Sequence, residues 1–224
     1  MTEQLIGRGR DCDVFAAGPD RVVRRNRAGR STETEAITMQ HCAAHGYPVP
    51  QVFDAEGPDI VMQRLDGPTM LRDLSTRPWT MRSKARLLAD LIQRLEHVPR
   101  PDHELPAIGD GGDALVHLDL HPDNVVLTAD GPIVIDWSNA AIGVAGLDAA
   151  NTWITLAAGR PDGSIATRTI VTGGRRLFVR NFLSMIDRAA AVASLPTALQ
   201  FRLSDANQSD DERTAMQALV DRAT

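Results

Sequence analysis

The order of sequence patterns along the chain limits its fold more than any other feature. Short strand-like segments separated by turn signals fill the chain as far as Leu65, and segments with helical spacing dominate after Asp66-Gly67-Pro68. Strands that come first and helices that come later indicate segregated layers of sheet and helix. We therefore expect an α+β fold with two lobes, a small β-rich lobe at 1–66 and a larger helical lobe at 67–224.

The expected strands of the small lobe are short. They are Gln4–Arg8, Val14–Ala17, Arg21–Arg25, Gln51–Asp54 and Ile60–Leu65. One helix is predicted at Ser31–His45, because Ser31 or Thr32 can cap its first turn and Gly46 can end it. In the larger lobe, helical periodicity is clearest at Arg82–His97. Further helices are predicted at Asp148–Ala158, Arg175–Val192, Pro196–Leu203 and Asp210–Ala223.

Charge and composition argue against several classes of function. The net charge of -5 and the presence of only one tyrosine and three tryptophans argue against a general nucleic-acid binder. No apolar run is long enough to span a bilayer, and the first residues lack the apolar core of a signal peptide. We therefore expect a cytoplasmic protein with neither nucleic acid nor a membrane as its partner.

The strongest chemical signal is His117-Leu118-Asp119-Leu120-His121-Pro122-Asp123-Asn124, with Ile135-Asp136-Trp137 shortly after it. Phosphoryl transfer needs a group to orient the attacking hydroxyl, oxygen ligands for Mg²⁺ and positive charge on the phosphates. The spacing of Asp119 and Asn124 is that of a kinase catalytic loop, and Asp136 ends an apolar strand. The ordered set indicates a site for phosphoryl transfer rather than ordinary turn residues.

These motifs resemble the aminoglycoside phosphotransferase family, which also contains choline-kinase-like and other small-molecule kinases. The resemblance covers roughly residues 5–155 and implies a protein-kinase-like fold. It implies that Asp119 is the catalytic base, that Asn124 and Asp136 bind Mg²⁺, and that His117 supports the loop. It also implies ATP or GTP as phosphoryl donor and a hydroxyl group of a small molecule as acceptor, with an aminoglycoside-like or amino-alcohol compound among the candidates.

Two further positions bear on this resemblance. Leu118 stands where the family usually has glycine, which questions the local backbone path but not the acidic residues. Asp148 matches a family aspartate that follows the metal motif, and a structural role is expected for it.

The small lobe offers supporting nucleotide-binding signals. Gly7 and Gly9 fit either a glycine-rich loop over the phosphates or an ordinary hairpin turn. Lys84 is the only lysine, so Arg24 takes the place of the strand lysine that contacts phosphates, with Arg25 as the adjacent alternative. Glu35 is the expected partner of Arg24, with Glu33 as the fallback, and the two could also form a plain structural ion pair.

The segment that joins the lobes adds a last nucleotide-binding prediction. Met62, Gln63 and Arg64 resemble the family hinge, where backbone groups would face the nucleotide base, although an edge strand would have the same local shape.

Two other functions are compatible with the same residues. One is a nucleotide-binding regulatory module with weak or no transfer activity. The other is a metal-dependent hydrolase, because His117, Asp119 and His121 alternate and would share one face of a strand.

The acceptor site is expected among the helices after Asp148. The main acidic cluster there is Asp205, Asp210, Asp211 and Glu212. It could line an acidic pocket for a polycationic acceptor or simply begin a solvated helix.

Overall fold

The computed structural model describes residues 4–9, 11–158, 165–205 and 208–224, with the backbone alone at 165–172. A β-sheet occupies the amino-terminal part of the chain, and helices with two small two-stranded sheets follow it. The predicted α+β class is confirmed.

The amino-terminal sheet contains five antiparallel strands in the order β1-β2-β3-β5-β4. The strands are β1 (Gln4–Arg8), β2 (Cys12–Ala16), β3 (Arg21–Asn26), β4 (Val52–Glu56) and β5 (Asp59–Gln63). Strand β3 lies at the centre and alternates strictly, with Val22, Arg24 and Asn26 buried. The period of two therefore turns Arg24 inward and Arg25 to the other face.

Helix α1 (Glu33–Ala44) packs beside this sheet. Thr32 precedes it but does not cap it, contrary to one of the two predicted caps. Its hydroxyl donates instead to the backbone oxygens of Gly57, at 3.2 Å, and Asp59, at 2.9 Å. The start of the helix is thereby fixed to the turn between β4 and β5, and Gly46, at φ +74°, follows its end.

The rest of the chain is mainly helical. Its helices are α2 (Met70–Thr76), α3 (Met81–Glu96), α4 (Leu147–Ala158), α5 (Ile165–Leu183), α6 (Arg188–Ser204) and α7 (Asp210–Ala223). Helix α3 buries Leu88, Leu91, Ile92 and Leu95 on one face, as their spacing predicts. The Tyr47 hydroxyl donates to the backbone oxygen of Leu91 at 3.1 Å, so this face of α3 also packs against the segment after α1.

Two small two-stranded sheets bring distant parts of the motif together, and the second is a hairpin. Strand β6 (Ala114–Val116) pairs with β9 (Ala141–Gly143), and β7 (Val125–Thr128) pairs with β8 (Gly131–Val134). The register of β7 and β8 aligns Val125 with Val134. The residues just outside this pair, 124 and 135, therefore lie side by side.

The predicted boundaries of two late helices are wrong. Helix α5 ends at Leu183 and α6 begins at Arg188, so no single helix covers Arg175–Val192. The Asp187 side chain accepts hydrogen bonds from the amides of Ala189 and Ala190 and starts α6 there. Pro196, predicted to begin a helix, lies inside α6 instead.

Within the described residues, no single helix is long and apolar enough to cross a membrane. Two successive helical segments, bent by 119°, reach that length and apolarity only when taken together.

Substitution of Gly67 by alanine is expected to destabilise the protein strongly. Gly67 has φ +152°, and a Cβ there would lie 2.2 Å from the backbone oxygen of Leu127. We expect the free energy of unfolding in urea to fall by about 2–4 kcal/mol. Gly29→Ala is the matched control, because Gly29 also has a positive φ, +72°, but its Cβ would meet no atom within 4 Å. Equal losses for the two variants would contradict this account.

Candidate active site

The loop after β6 carries most of the predicted catalytic residues. Leu118, at its start, is fully buried and has φ +62°, the left-handed region that favours glycine. The backbone path that glycine would provide is thus adopted by leucine. Leucine in place of the family's usual glycine therefore does not alter the backbone path of the loop.

Helix α4 holds this loop in place from behind. The buried Asp148 carboxylate accepts the backbone N–H groups of His117, at 2.8 Å, and Leu118, at 2.7 Å. The Asn151 side chain donates to the oxygen of Leu118, and the Thr152 hydroxyl donates to that of Leu120 at 2.6 Å. These contacts satisfy buried backbone groups and offset the cost of the left-handed residue.

His117 connects the loop to the strand that leads to Asp136. Its ring is fully buried, with Nε2 3.0 Å from the backbone oxygen of Ile135 and Nδ1 accepting the Asp119 N–H at 3.2 Å. This pair of bonds requires the tautomer protonated at Nε2. The ring also packs against Trp137, with centroids 4.7 Å apart. His117 therefore links the two motifs rather than facing a cleft.

Asp119 has different neighbours at its two carboxylate oxygens. Oδ2 accepts from Nδ2 of Asn124 at 3.1 Å and lies 3.4 Å from Nε2 of His121. Oδ1 accepts from Nη1 of Arg202, on helix α6, at 3.1 Å. Burial alone would raise the pKa of Asp119, but the hydrogen bond and charge of His121 and the charge of Arg202 outweigh it and lower the pKa to about 2. The carboxylate is therefore ionised at neutral pH.

Asn124 and Asp136 are brought together by the β7–β8 hairpin. The backbone oxygen of Asn124 accepts the Ile135 N–H at 3.0 Å, so Asp136 follows immediately beside it. Asp136 has φ +64°, and its half-exposed carboxylate accepts the Ser138 hydroxyl at 2.9 Å. The structure thus places the two predicted metal ligands at adjacent strand ends.

A buried ion pair joins the amino-terminal sheet to this hairpin. Arg24 donates to Oε2 of Glu35, and Oε1 of the same carboxylate accepts the backbone N–H of Trp137 at 3.1 Å. Nη1 of Arg24 also lies 3.8 Å from Oδ1 of Asp136. Burial alone would lower the pKa of Arg24, but the negative charges of Glu35 and Asp136 raise it above its ordinary value. Arg24 is thus a permanent cation beside Asp136.

The glycine-containing segment forms the turn between β1 and β2. Gly7 lies in β1 opposite Val14, and the Gly9 amide donates to the backbone oxygen of Cys12 at 2.8 Å. The Cys12 sulfur accepts from Nη1 of Arg24 at 3.2 Å. The turn is therefore a hairpin in form, and its second strand reaches the buried arginine.

The predicted hinge residues lie at the end of β5. Met62 pairs with Val22 on one side and Val52 on the other. The Gln63 N–H donates to the oxygen of Gln51, and the Arg64 N–H donates to that of Asp20, both at 2.8 Å. Because these two amides already have acceptors, they cannot also donate to a nucleotide base. The predicted contacts with the base therefore remain possible only for the other backbone groups of the segment.

The geometry does not support the hydrolase alternative. Strand β6 ends at Val116 and the left-handed Leu118 follows, so His117, Asp119 and His121 do not share a strand face. Nδ1 of His117 is already an acceptor for the Asp119 amide. In the parts of the chain that the structure describes, no three or more His, Cys, Asp or Glu side chains group in a way that could hold a metal ion.

Arg202 is the main site residue that sequence reasoning missed. It lies 83 positions after Asp119, in a helix that no motif marks. Asn151 and Thr152 were also missed, although both follow Asp148 on successive positions of one helix face. Their spacing from Asp148, three and four residues, is the only local signal that could have found them.

Comparison with protein-family models matches residues 58–183, more than half of the chain, to the phosphotransferase enzyme family, APH. Comparison with curated protein sequences gave no significant match.

Solved structures of kinases share the fold at low sequence identity. A thermostable mutant of aminoglycoside phosphotransferase APH(4)-Ia, in ternary complex with ADP and hygromycin B, superposes with a TM-score of 0.65 and 16% identity over 99% of this chain and 92% of that one. A choline/ethanolamine kinase family protein from Mesorhizobium loti gives 0.53 and 16% over 100% and 87%. A GDP complex of an aminoglycoside 2'-phosphotransferase-IIIa mutant gives 0.58 and 13% over 99% and 91%. The expected protein-kinase-like fold is confirmed.

Replacement of Asp148 by asparagine is expected to destabilise the loop and the protein together. An amide offers one oxygen where two backbone N–H groups now meet a carboxylate, so one buried donor loses its partner. We expect a loss of about 3 kcal/mol in the free energy of unfolding, measured in urea. Asp102→Asn, at an exposed position, is the control and should leave stability unchanged. If Asp148→Asn is as stable as the wild type, the two hydrogen bonds from the backbone of His117 and Leu118 to Asp148 do not stabilise the protein.

Proposed function

The chain belongs to the phosphotransferase enzyme family, and we propose that it transfers the γ-phosphoryl group of ATP or GTP to a hydroxyl group of a small molecule in a Mg²⁺-dependent reaction. The single observation that carries the proposal is the convergence of Asp119, Asn124 and Asp136 from one loop and one neighbouring strand end. The names of the similar structures, which include ADP and GDP complexes and aminoglycoside and choline kinases, support a nucleotide donor and a small acceptor.

The residues present fit a magnesium ion. The Asn124 nitrogen donates to Asp119, so its oxygen is the amide atom left to bind a cation. Asp136 adds a half-exposed carboxylate beside it, and Mg²⁺ prefers such hard oxygen ligands with water and phosphate oxygens. The bound ion would neutralise charge on the transferring phosphates.

Asp119 has the position and charge of the general base. It is ionised, held at both oxygens and close to the proposed metal ligand Asn124. In the proposed reaction its carboxylate accepts a hydrogen bond from the acceptor hydroxyl and takes the proton as the hydroxyl oxygen bonds to the γ-phosphorus. The bond from that phosphorus to the β,γ-bridging oxygen breaks, and ADP or GDP leaves.

Arg24 is proposed to steady the nucleotide phosphates. The buried contact with Glu35 fixes the guanidinium, and its 3.8 Å distance from Asp136 puts this cation next to the proposed metal site. Gly7, Gly9 and the segment Met62–Arg64 complete the proposed nucleotide site, with the glycine turn over the phosphates and the remaining hinge backbone groups near the base.

Asp136→Ala tests the metal site. Loss of one carboxylate ligand should weaken binding of Mg·ATP and Mg·GTP at least about tenfold, measured by thermal-shift titration with and without Mg²⁺. Asp130→Ala, in the exposed turn of the same hairpin, is the control and should bind as the wild type does. Undiminished Mg²⁺-dependent binding by Asp136→Ala would contradict the assignment.

Asp119→Asn tests the base and separates an enzyme from a nucleotide-binding regulator. The amide oxygen can still accept from Arg202, but it cannot take a proton. We expect nucleotide affinity to be retained and acceptor-stimulated ADP release to fall by about 10²–10⁴-fold. Asp123→Asn, on the same loop, is the control. Full turnover by Asp119→Asn would refute the base, and wild-type protein that binds nucleotide but never transfers phosphate would favour the regulator.

A further inference from the structure

Arg202 brings a guanidinium to the side of Asp119 that faces away from the proposed metal ligands. Oδ2 of Asp119 contacts Asn124, while Oδ1 contacts Nη1 of Arg202. The two oxygens of one carboxylate therefore face different surroundings. Oδ2 faces the proposed metal ligand Asn124, and Oδ1 faces helix α6. An acceptor hydroxyl that approaches from the α6 side must pass close to this cation.

The position of Arg202 is fixed by its helix rather than by a flexible loop. It lies in the last turn of α6, and the guanidinium of Arg213 donates to the backbone oxygens of Leu203, at 2.7 Å, and Asp205, at 2.9 Å. These bonds fasten the end of the helix immediately after Arg202. The cation is thus pre-organised beside the base.

The Arg202 guanidinium has more N–H donors than its contact with Asp119 uses. Within the described residues the one hydrogen bond of its side chain is the bond from Nη1 to Asp119. Its Nε is buried without a partner, so a ligand would meet the Nη groups. A guanidinium presents a planar fork that suits two oxygens of a carboxylate or phosphate. Asp119 is already shared with Asn124 and His121, so it satisfies only part of this fork.

The acidic cluster, Asp205, Asp210, Asp211 and Glu212, does not supply a pocket for a cationic acceptor. Asp210 and Asp211 are exposed in the first turn of α7. Glu212 forms a capping box with Ser209, in which its carboxylate accepts a hydrogen bond from the Ser209 amide at 3.0 Å. The helix start accounts for these side chains. Asp205 accepts from the Gln208 side chain at 3.3 Å.

We propose that the acceptor is a small hydroxy compound carrying an anionic group, a carboxylate or a phosphate, and that Arg202 binds this group. The inference rests on the proposed function, because it takes the acceptor hydroxyl to lie against Asp119. A hydroxyl within about 3 Å of Oδ1 lies within about 6 Å of Nη1. An anionic group a few bonds from the hydroxyl reaches the fork, whereas an ammonium at the same place is repelled.

The test uses three hydroxy compounds of matched size: glycerate, which is anionic, glycerol, which is neutral, and serinol, which is cationic. Each is titrated calorimetrically into the protein, with and without Mg·ADP. Acceptor-stimulated ADP release from Mg·ATP is measured in parallel. We expect glycerate to bind at least about tenfold more tightly than glycerol, and serinol more weakly than glycerol.

Two variants of Arg202 separate recognition of the anion from a structural role. Arg202→Gln should weaken glycerate binding more than glycerol binding and so abolish the preference for glycerate. Arg202→Lys should keep the order of the three compounds with a smaller difference, because a point charge replaces the fork. Arg188→Gln, at an exposed position on the same helix, is the control and should behave as wild type.

The outcomes decide between recognition and mere support of Asp119. Equal affinity for the three compounds, including no detectable binding of any, overturns the inference. So does an equal loss for all three in Arg202→Gln, which is what a purely structural role predicts. Failure of the proposed function has a different readout, the absence of Mg·nucleotide binding or of phosphoryl transfer by the wild type, and does not depend on the order of affinity of the three compounds.

Discussion

The buried carboxylate of Glu35 is the contact on which the arrangement of the site depends. One of its oxygens pairs with Arg24 on the central strand, and the other accepts the backbone N–H of Trp137. A single side chain thereby connects helix α1, the sheet and the strand end that carries Asp136. Because a buried carboxylate is stable only when both oxygens are satisfied, this connection also fixes where the sheet and the hairpin meet.

Much of this site could be predicted because its parts are encoded by local spacing. Asp119, Asn124 and Asp136 lie within one short stretch, and their pattern resembles that of a known family. The contact between Arg24 and Glu35 could be expected because both positions match the strand and helix pattern of the family that the sequence resembles. The segregation of strands and helices was equally visible, because each pattern persists over a whole element.

What could not be predicted depends on contacts between distant parts of the chain. Nothing in the sequence around Arg202 indicates that α6 reaches the loop that carries Asp119, since packing against α4 brings it there. Pro196 favours a helix start by its own chemistry, but Asp187 begins the helix earlier and buried Ala191 and Leu195 hold it. The occupied amides of Gln63 and Arg64 depend on Gln51 and Asp20, which a strand pattern does not identify.

The hydrogen bonds from helix α4 to the loop after β6 have a consequence for how the protein is made. Asp148, Asn151 and Thr152 hold backbone groups that were synthesised 30–33 residues earlier. While the ribosome is still translating α4, the left-handed turn at Leu118 has no partner for its N–H or its oxygen. The loop can therefore acquire all of these native contacts only after α4 has emerged from the ribosome.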